Sequence, residues 1–269
     1  MQVAGKVFVV TGGGNGIGQE VALSLITRGA RVAAVDLSGT GLAGTAQRAA
    51  VDGRKLTTHP VDITDRAAVG KLPGEVTALH GQVDGVINIA GIVHRFARVH
   101  DLTFEEIERV MDVNFWGVVN MTKAFLPVLL ERPEASLVNV SSMGALAPVP
   151  GQSAYGASKA AVKLLTEGLY AELRGTSVAV TVVFPGGVGT NILANSGVSM
   201  GGRSAESSGT GAKLTSVAEA GRQIIEAVEK GSYRVRIGRD ARVLDRLARL
   251  MPQRATAMLA DRMKSLLDS

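Results

Sequence analysis

Cysteine is absent from the 269 residues, and aromatic side chains make up only 4% of them. Without thiols there is no disulfide framework, no thiolate nucleophile, no iron–sulfur cluster and no zinc–cysteine site, a composition that suits a reducing compartment. Histidine is scarce too. His59, His80, His94 and His100 lack the close spacings of familiar metal-ligand motifs, so no metal is expected. No apolar run reaches about 18 residues, so no membrane-spanning helix is expected either. Met1–Lys6 lacks the charged-then-apolar order of a secretory leader, and Gln2 stands where N-myristoylation needs glycine. The expected location is cytoplasmic.

What is present is the balance of a globular chain. Apolar residues reach 46% and charged residues only 20%, which excludes disorder as a class, and the 33 glycines follow no collagen period. The net charge of +5 is uneven: Lys230 to Ser269 holds ten Lys/Arg against four Asp, while the remainder is nearly neutral. The basic balance therefore belongs to a tail, and the body has no basic stripe for nucleic acid.

Short β-branched runs alternate with helical spacing. Strands are expected at Lys6–Val10, Arg31–Asp36, Leu56–Val61, Asp84–Ile89, Leu137–Val140, Val178–Phe184 and Tyr233–Ile237. Helices are expected near Gly16–Arg28, Gly41–Val51, Asp65–Leu79, Phe104–Glu131, Ala154–Arg174 and Ser216–Glu229. Such alternation argues βαβ crossovers: an α/β fold with a doubly wound parallel sheet of about seven strands, Rossmann-like, and a helical C-terminal tail. No linker divides the chain, so 1–269 is expected to form one domain. Asn195–Gly211, rich in Gly and Ser, is expected to be a mobile loop, part of a lid over 190–212.

Val10 leads into Thr11-Gly12-Gly13-Gly14-Asn15-Gly16-Ile17-Gly18, after which a helix begins. Strand, glycine turn and helix N-terminus together make an anion site, where outward N–H groups and the helix dipole meet a pyrophosphate. The spacing is T-G-x-x-x-G-x-G, and no Lys-Ser/Thr follows as a Walker A loop would need. Asp36 closes the second strand, where a carboxylate can accept from both ribose hydroxyls and would repel a 2′-phosphate. No Arg or Lys is supplied by the loop, Leu37 or Ser38, so NAD is expected over NADP.

Tyr155 and Lys159 stand i,i+4 at the start of a long helix and share one face. A phenol holds its proton to about pH 10; a nearby ammonium is expected to lower that value toward useful acid/base range. Ser142, at the end of the fifth strand, places a hydroxyl where it can bond a substrate oxygen.

Together these residues resemble the short-chain dehydrogenase/reductase family, in its single-domain NAD(P)-dependent branch. The resemblance runs from Lys6 to about Ile237. It rests on the Thr11–Gly18 loop, Asp62, Asn88-Ile89-Ala90-Gly91, Asn114, Ser142, Tyr155, Lys159 and Pro185-Gly186-Gly187-Val188-Gly189-Thr190, with thirteen residues from Ser142 to Tyr155. It implies Tyr155 as general acid/base, Lys159 on the nicotinamide ribose, Ser142 on the substrate oxygen, and Asn114 holding a relay water. It further implies cofactor contacts at Gly12, Asn15, Gly16, Ile17, Gly18, Asp36, Leu37, Asp62, Ile63, Asn88, Ala90, Gly91, Pro185, Gly186, Val188 and Thr190. Ile89 departs from the family's usual second Asn, and the thirteen-residue spacing selects Ser142 over Ser141.

Substrate is expected among Val93, His94, Met143, Val149, Gln152, Gly187 and Ile192, mostly apolar and without a cationic clamp, which favours a hydrophobic alcohol or ketone. His94 fits a surface loop better than a substrate contact. In the tail, Val243, Leu244, Leu247, Leu250 and Met251 form one helical stripe beside Arg239, Arg242, Arg246 and Arg249. Packing over the cleft or a neighbouring subunit is favoured over an anionic lipid surface. The resemblance implies a homo-dimer or homo-tetramer. The expected activity is NAD(H)-dependent interconversion of a secondary alcohol and a ketone; the alternatives are a 3-oxoacyl thioester reductase and a non-catalytic dinucleotide-binding protein.

Overall fold

Strand–helix alternation runs almost unbroken through a computed structural model that describes residues 1–198 and 214–263. The strands are β1 (Val7–Thr11), β2 (Arg31–Asp36), β3 (Leu56–Pro60), β4 (Gly85–Asn88), β5 (Ala135–Val140), β6 (Val178–Pro185) and β7 (Arg234–Ile237). The helices are α1 (Gly16–Thr27), α2 (Gly39–Ala49), α3 (Arg66–His80), α4 (Phe104–Met111), α5 (Gly117–Leu130), α6 (Ser153–Glu172), α7 (Ile192–Asn195), α8 (Val217–Lys230), α9 (Arg239–Leu250) and α10 (Pro252–Met263). Strand boundaries fall within two residues of those expected. The glycine- and serine-rich stretch expected to be mobile lies mostly outside the described residues.

All seven strands are parallel, in the order β3-β2-β1-β4-β5-β6-β7. Their apolar runs do not alternate with polar residues because both faces are covered. Phe8 and Val10 of β1 pack with Val21, Leu25 and Ile224 of α1 and α8, while Val7 and Val9 pack with Leu72, Met121 and Phe125 of α3 and α5. The winding reverses between β1 and β4. Carboxyl ends of neighbouring strands diverge there, opening the crevice in which sheets of this kind bind ligands.

The single helix expected over Phe104–Glu131 is two α-helices joined by a π turn, Asp112–Trp116, with Asn114 buried inside it. The wider turn shifts the register of the side chains that follow. By length and composition, Phe104–Leu130 is apolar enough to cross a membrane, contrary to the expectation that no segment would be. Met121, Phe125 and Leu129 are buried beside the sheet, and a core helix meets the same test.

The tail also departs from its expected stripe. Ala241, Leu244 and Asp245 form the buried face of α9, whereas Val243, Leu250 and Met251 are exposed. Asp245 accepts from Arg234 and Arg236 of β7 and from Arg249, each at 2.9–3.0 Å, so a buried carboxylate aims this face at the sheet edge.

Candidate active site

β1 delivers Thr11 to the crevice, where its hydroxyl accepts from the N–H groups of Ile89 (3.0 Å) and Ala90 (3.2 Å). The ends of β1 and β4 are tied together by that side chain. Gly12 then turns with φ +71°, and a Cβ on it would stand 3.0 Å from the Ala90 nitrogen. At Gly18 a Cβ would come 2.1 Å from the Gly12 carbonyl oxygen, so only hydrogen fits where α1 meets the loop. Asn15 occupies the N-cap of α1 but its side chain caps nothing; its Oδ1 accepts instead from Asn195 Nδ2 at 2.9 Å. No acidic residue stands in the first turn. The leading N–H groups of α1 thus keep their affinity for an external anion, and the loop fits a dinucleotide pyrophosphate.

Asp36 ends β2 half-buried beside that loop, its carboxylate accepting from Gly14 N (2.9 Å) and Ser38 N (2.8 Å). Four lone-pair sites leave capacity for hydroxyl donors. Thr190 reaches the loop from the far side: a Cβ on Gly16 would meet its methyl group at 3.7 Å.

The second half of the site gathers around Lys159. Its side chain is 3% exposed, and Nζ donates to the Val140 carbonyl at 3.2 Å. A Cβ on Gly91 would lie 3.0 Å from both Lys159 Nζ and Asn114 Oδ1, so the glycine makes room for the amine. Asn114 Nδ2 donates to Ile92 O (2.9 Å) and Ser158 Oγ (3.0 Å), and Oδ1 accepts from Ile92 N (2.8 Å). One turn toward the N-terminus of α6, Tyr155 faces Ser142 across Gly144, whose Cβ, if it had one, would stand 3.5 Å from Ser142 Oγ and 3.7 Å from the Tyr155 ring; Ser142 Oγ accepts from Gly144 N at 3.1 Å.

Burial governs the ionisation here. It pushes the Lys159 amine down to about 8 and the Tyr155 phenol up, with the Ser142 hydroxyl pulling the phenol partly back. The expected lowering of Tyr155 by an ammonium is not what its protein surroundings produce, because desolvation outweighs them and Lys159 is directed at a backbone carbonyl.

Residues 6–199 match the family model of the short chain dehydrogenases. The chain belongs to that family of oxidoreductases. It is 41% identical over 252 residues to the oxidoreductase SadH of Mycobacterium tuberculosis, covering 92% of this chain and 91% of that one. A short chain dehydrogenase/reductase from Burkholderia phymatum in complex with NAD shares the fold with a TM-score of 0.84 at 24% identity, over 95% of this chain and 97% of that one. A short chain dehydrogenase from Burkholderia cenocepacia in complex with NADP matches with a TM-score of 0.78 at 28% identity, over 96% and 99%.

In this short-chain dehydrogenase several expected contacts take other duties. Asn88 is buried and donates to Asn139 Oδ1 at 2.8 Å, tying β4 to β5. The Ile63 side chain packs in the core against Gly117, leaving only its main chain for adenine. Asp62 accepts from the N–H and hydroxyl of Thr64, both at 2.8 Å. His94 is not a surface residue: it is buried, Nδ1 lies 2.6 Å from Arg95 O, and its carbonyl accepts from Gln152 Nε2 at 2.7 Å.

Val93 N donates to Ser196 Oγ at 3.0 Å, placing the segment after α7 beside the pocket. Met143 lies in the 3₁₀ turn that follows Ser142, and Val149 O accepts from Gln152 N at 3.0 Å. Leu37 is exposed beside Asp36. Thr11, the first residue of the glycine motif, signals itself as a polar residue ending an apolar strand. Two pairings escaped the sequence reading, Asn139 with Thr166 (3.0 Å) and Asp240 with Gly187 (2.6 Å), because they join residues far apart in the chain.

Proposed function

We propose that the protein is an NAD(H)-dependent oxidoreductase interconverting a secondary alcohol and a ketone on a hydrophobic substrate. The observation that carries this reading is the convergence of Tyr155, Ser142 and buried Lys159 beside an uncapped, glycine-lined helix start. Gly12, Asn15, Gly16, Ile17 and Gly18 would hold the pyrophosphate, with Asp36 and Leu37 at the adenine ribose and Asp62 and the main chain of Ile63 at the base. Ala90, Gly91 and Lys159 would take the nicotinamide ribose, and Pro185, Gly186, Val188 and Thr190 the carboxamide end. When bound, the nicotinamide supplies the hydride acceptor or donor.

The protein's own work is then positioning and proton transfer. Ser142 holds the substrate oxygen by a hydrogen bond. Tyr155 donates its proton to that oxygen during carbonyl reduction and recovers one during alcohol oxidation. Lys159, protonated below about pH 8, favours the phenolate once its charge is directed toward the site. Asn114 joins α6 to Ile92 through its amide, so a relay water would fall to its main chain. Preference for NAD rests on Asp36, since similar structures hold either dinucleotide. Val93, Met143, Val149 and Ile192 favour an apolar substrate.

Exposed Phe104, Trp116 and Leu164 on the helices around α5 and α6 are the apolar surface through which a homo-dimer or homo-tetramer would assemble. For the tail, packing against the protein itself is favoured over lipid contact by the aim of Asp245 at the sheet edge. A cytoplasmic setting completes this reading. The test is Tyr155→Phe: turnover of a panel of hydrophobic alcohols and ketones should fall by about 10²–10⁴-fold while NADH binding, read by fluorescence, persists. Undiminished turnover would remove the phenol from its role.

A further inference from the structure

The loop after β6 is held in an unusual way. Pro185 has no N–H to offer, and the N–H groups of Gly186, Gly189 and Thr190 are taken by main-chain carbonyls: Ile237 at 2.8 Å, Thr215 at 3.0 Å and Val188 at 2.8 Å. Gly187 N donates instead to a side chain more than fifty positions away, Asp240 Oδ2, at 2.6 Å. That carboxylate fills the space above the loop. A Cβ on Gly186 would stand 2.2 Å from Asp240 Oδ1, and one on Gly238 would stand 2.4 Å from it.

Asp240 lies in the first turn of α9, where the helix dipole favours a negative charge. α9 is fixed in turn by Asp245 on Arg234, which also bonds Glu167 of α6 at 3.0 Å. The helix carrying Tyr155 and Lys159, the loop at the nicotinamide end and the first tail helix are therefore one connected body.

We propose that Asp240 is a positioning residue that sets the main chain of Gly186–Gly187 for the nicotinamide end of the cofactor. This rests on the reading above, in which residues 185–190 receive that end. The tail helix α9 is on this account part of the active site. A short, charge-assisted bond orders the Gly187 amide, which no carbonyl claims. Without it, the loop samples more positions and the bound ring is held less well.

Two variants and two readouts test the idea. Asp240→Ala removes the acceptor, whereas Asp240→Asn keeps an oxygen for the Gly187 amide. In protein without nucleotide, residue-by-residue amide exchange should show the Gly187 proton exchanging at least about tenfold faster in Asp240→Ala and near the wild-type rate in Asp240→Asn. NADH dissociation constants should rise about tenfold in Asp240→Ala and recover to within about threefold in Asp240→Asn. A lowered melting temperature with an unchanged Gly187 exchange rate and unchanged NADH affinity would make Asp240 a stability residue only and overturn the proposal. Faster exchange with unchanged NADH affinity would overturn it as well, since the loop would then be ordered to no effect on the cofactor. Failure of the wild-type protein to bind NADH or NADPH would instead overturn the dinucleotide reading, and with it the role given to the carboxylate.

Discussion

A lysine buried to 3% exposure costs stability for a reason that only function explains. With its amine pushed down to about 8 from an ordinary 10.5, the folded protein resists a proton that the unfolded chain accepts. Stability is therefore full above about pH 10.5 and falls as pH drops through about 8, a cost of about 3 kcal/mol at neutrality by linkage. Lys159→Met is expected to raise the thermal midpoint at pH 7 by the equivalent of about 1–3 kcal/mol while turnover collapses, and the gain should shrink at pH 9.5. Thermal melts at the two pH values, beside an activity assay, check this. Asp36 acts at the same scale. Asp36→Ala should weaken NAD use and relax discrimination against NADP by about tenfold or more, read as the ratio of kcat/KM for the two cofactors. The ratio is the informative quantity, because loss of the bonds to Gly14 and Ser38 loosens the loop for both.

Between elements, the tail is held by few but strong contacts. Burial pushes the Asp245 carboxyl up, yet bonds from Arg249 and Arg236 and the charge of Arg234 win, and the group stays below the usual carboxylate range. Removing a buried partner leaves the others uncompensated, which is costlier than the pair itself is stabilising. Asp245→Ala is expected to destabilise the protein by about 2–4 kcal/mol, measured by denaturant unfolding, and to raise proteolytic cleavage in α9 and α10. α10 packs against α9 and contributes Ala255 as a buried side chain, while Val243 and Leu250 stay in solvent. The helical periodicity of the tail was legible from the spacing of its leucines and arginines. Its inward face was not, because Asp245 reads as a solvent residue until Arg234 and Arg236 are brought against it by the pairing of β6 with β7.

For the molecule as a whole, pH stability reports on a histidine pair at the sheet edge. Thr57 Oγ1 lies 2.9 Å from Nε2 of both His59 and His80. Burial lowers the affinity of both rings for protons; the charge of Arg31 adds to this at His80, and Glu75 offsets it in part at His59. Each ring folds neutral, so its contribution is present above the ordinary value near 6.5 and lost as pH falls below it. The thermal midpoint should drop between pH 7.5 and pH 5.5, and a His59→Gln, His80→Gln double variant should show a shallower drop. An equal drop in both proteins would place the sensitivity elsewhere.

The order of elements, the winding of the sheet and the loop after β1 could be read from residue order alone, because β-branched runs, glycine turns and helical spacing are local signals. So could the i,i+4 pairing of Tyr155 with Lys159, since one helical turn separates them wherever the helix lies. The surroundings of those groups were decided by tertiary structure. Whether the phenol is raised or lowered depends on desolvation and on where Lys159 Nζ points, neither of which is a property of spacing. Asn88 spends its amide on β5, His94 is buried, and Asp240 returns from the tail to Gly187 for one shared reason: their partners are distant in the chain and meet only when the strands are laid side by side.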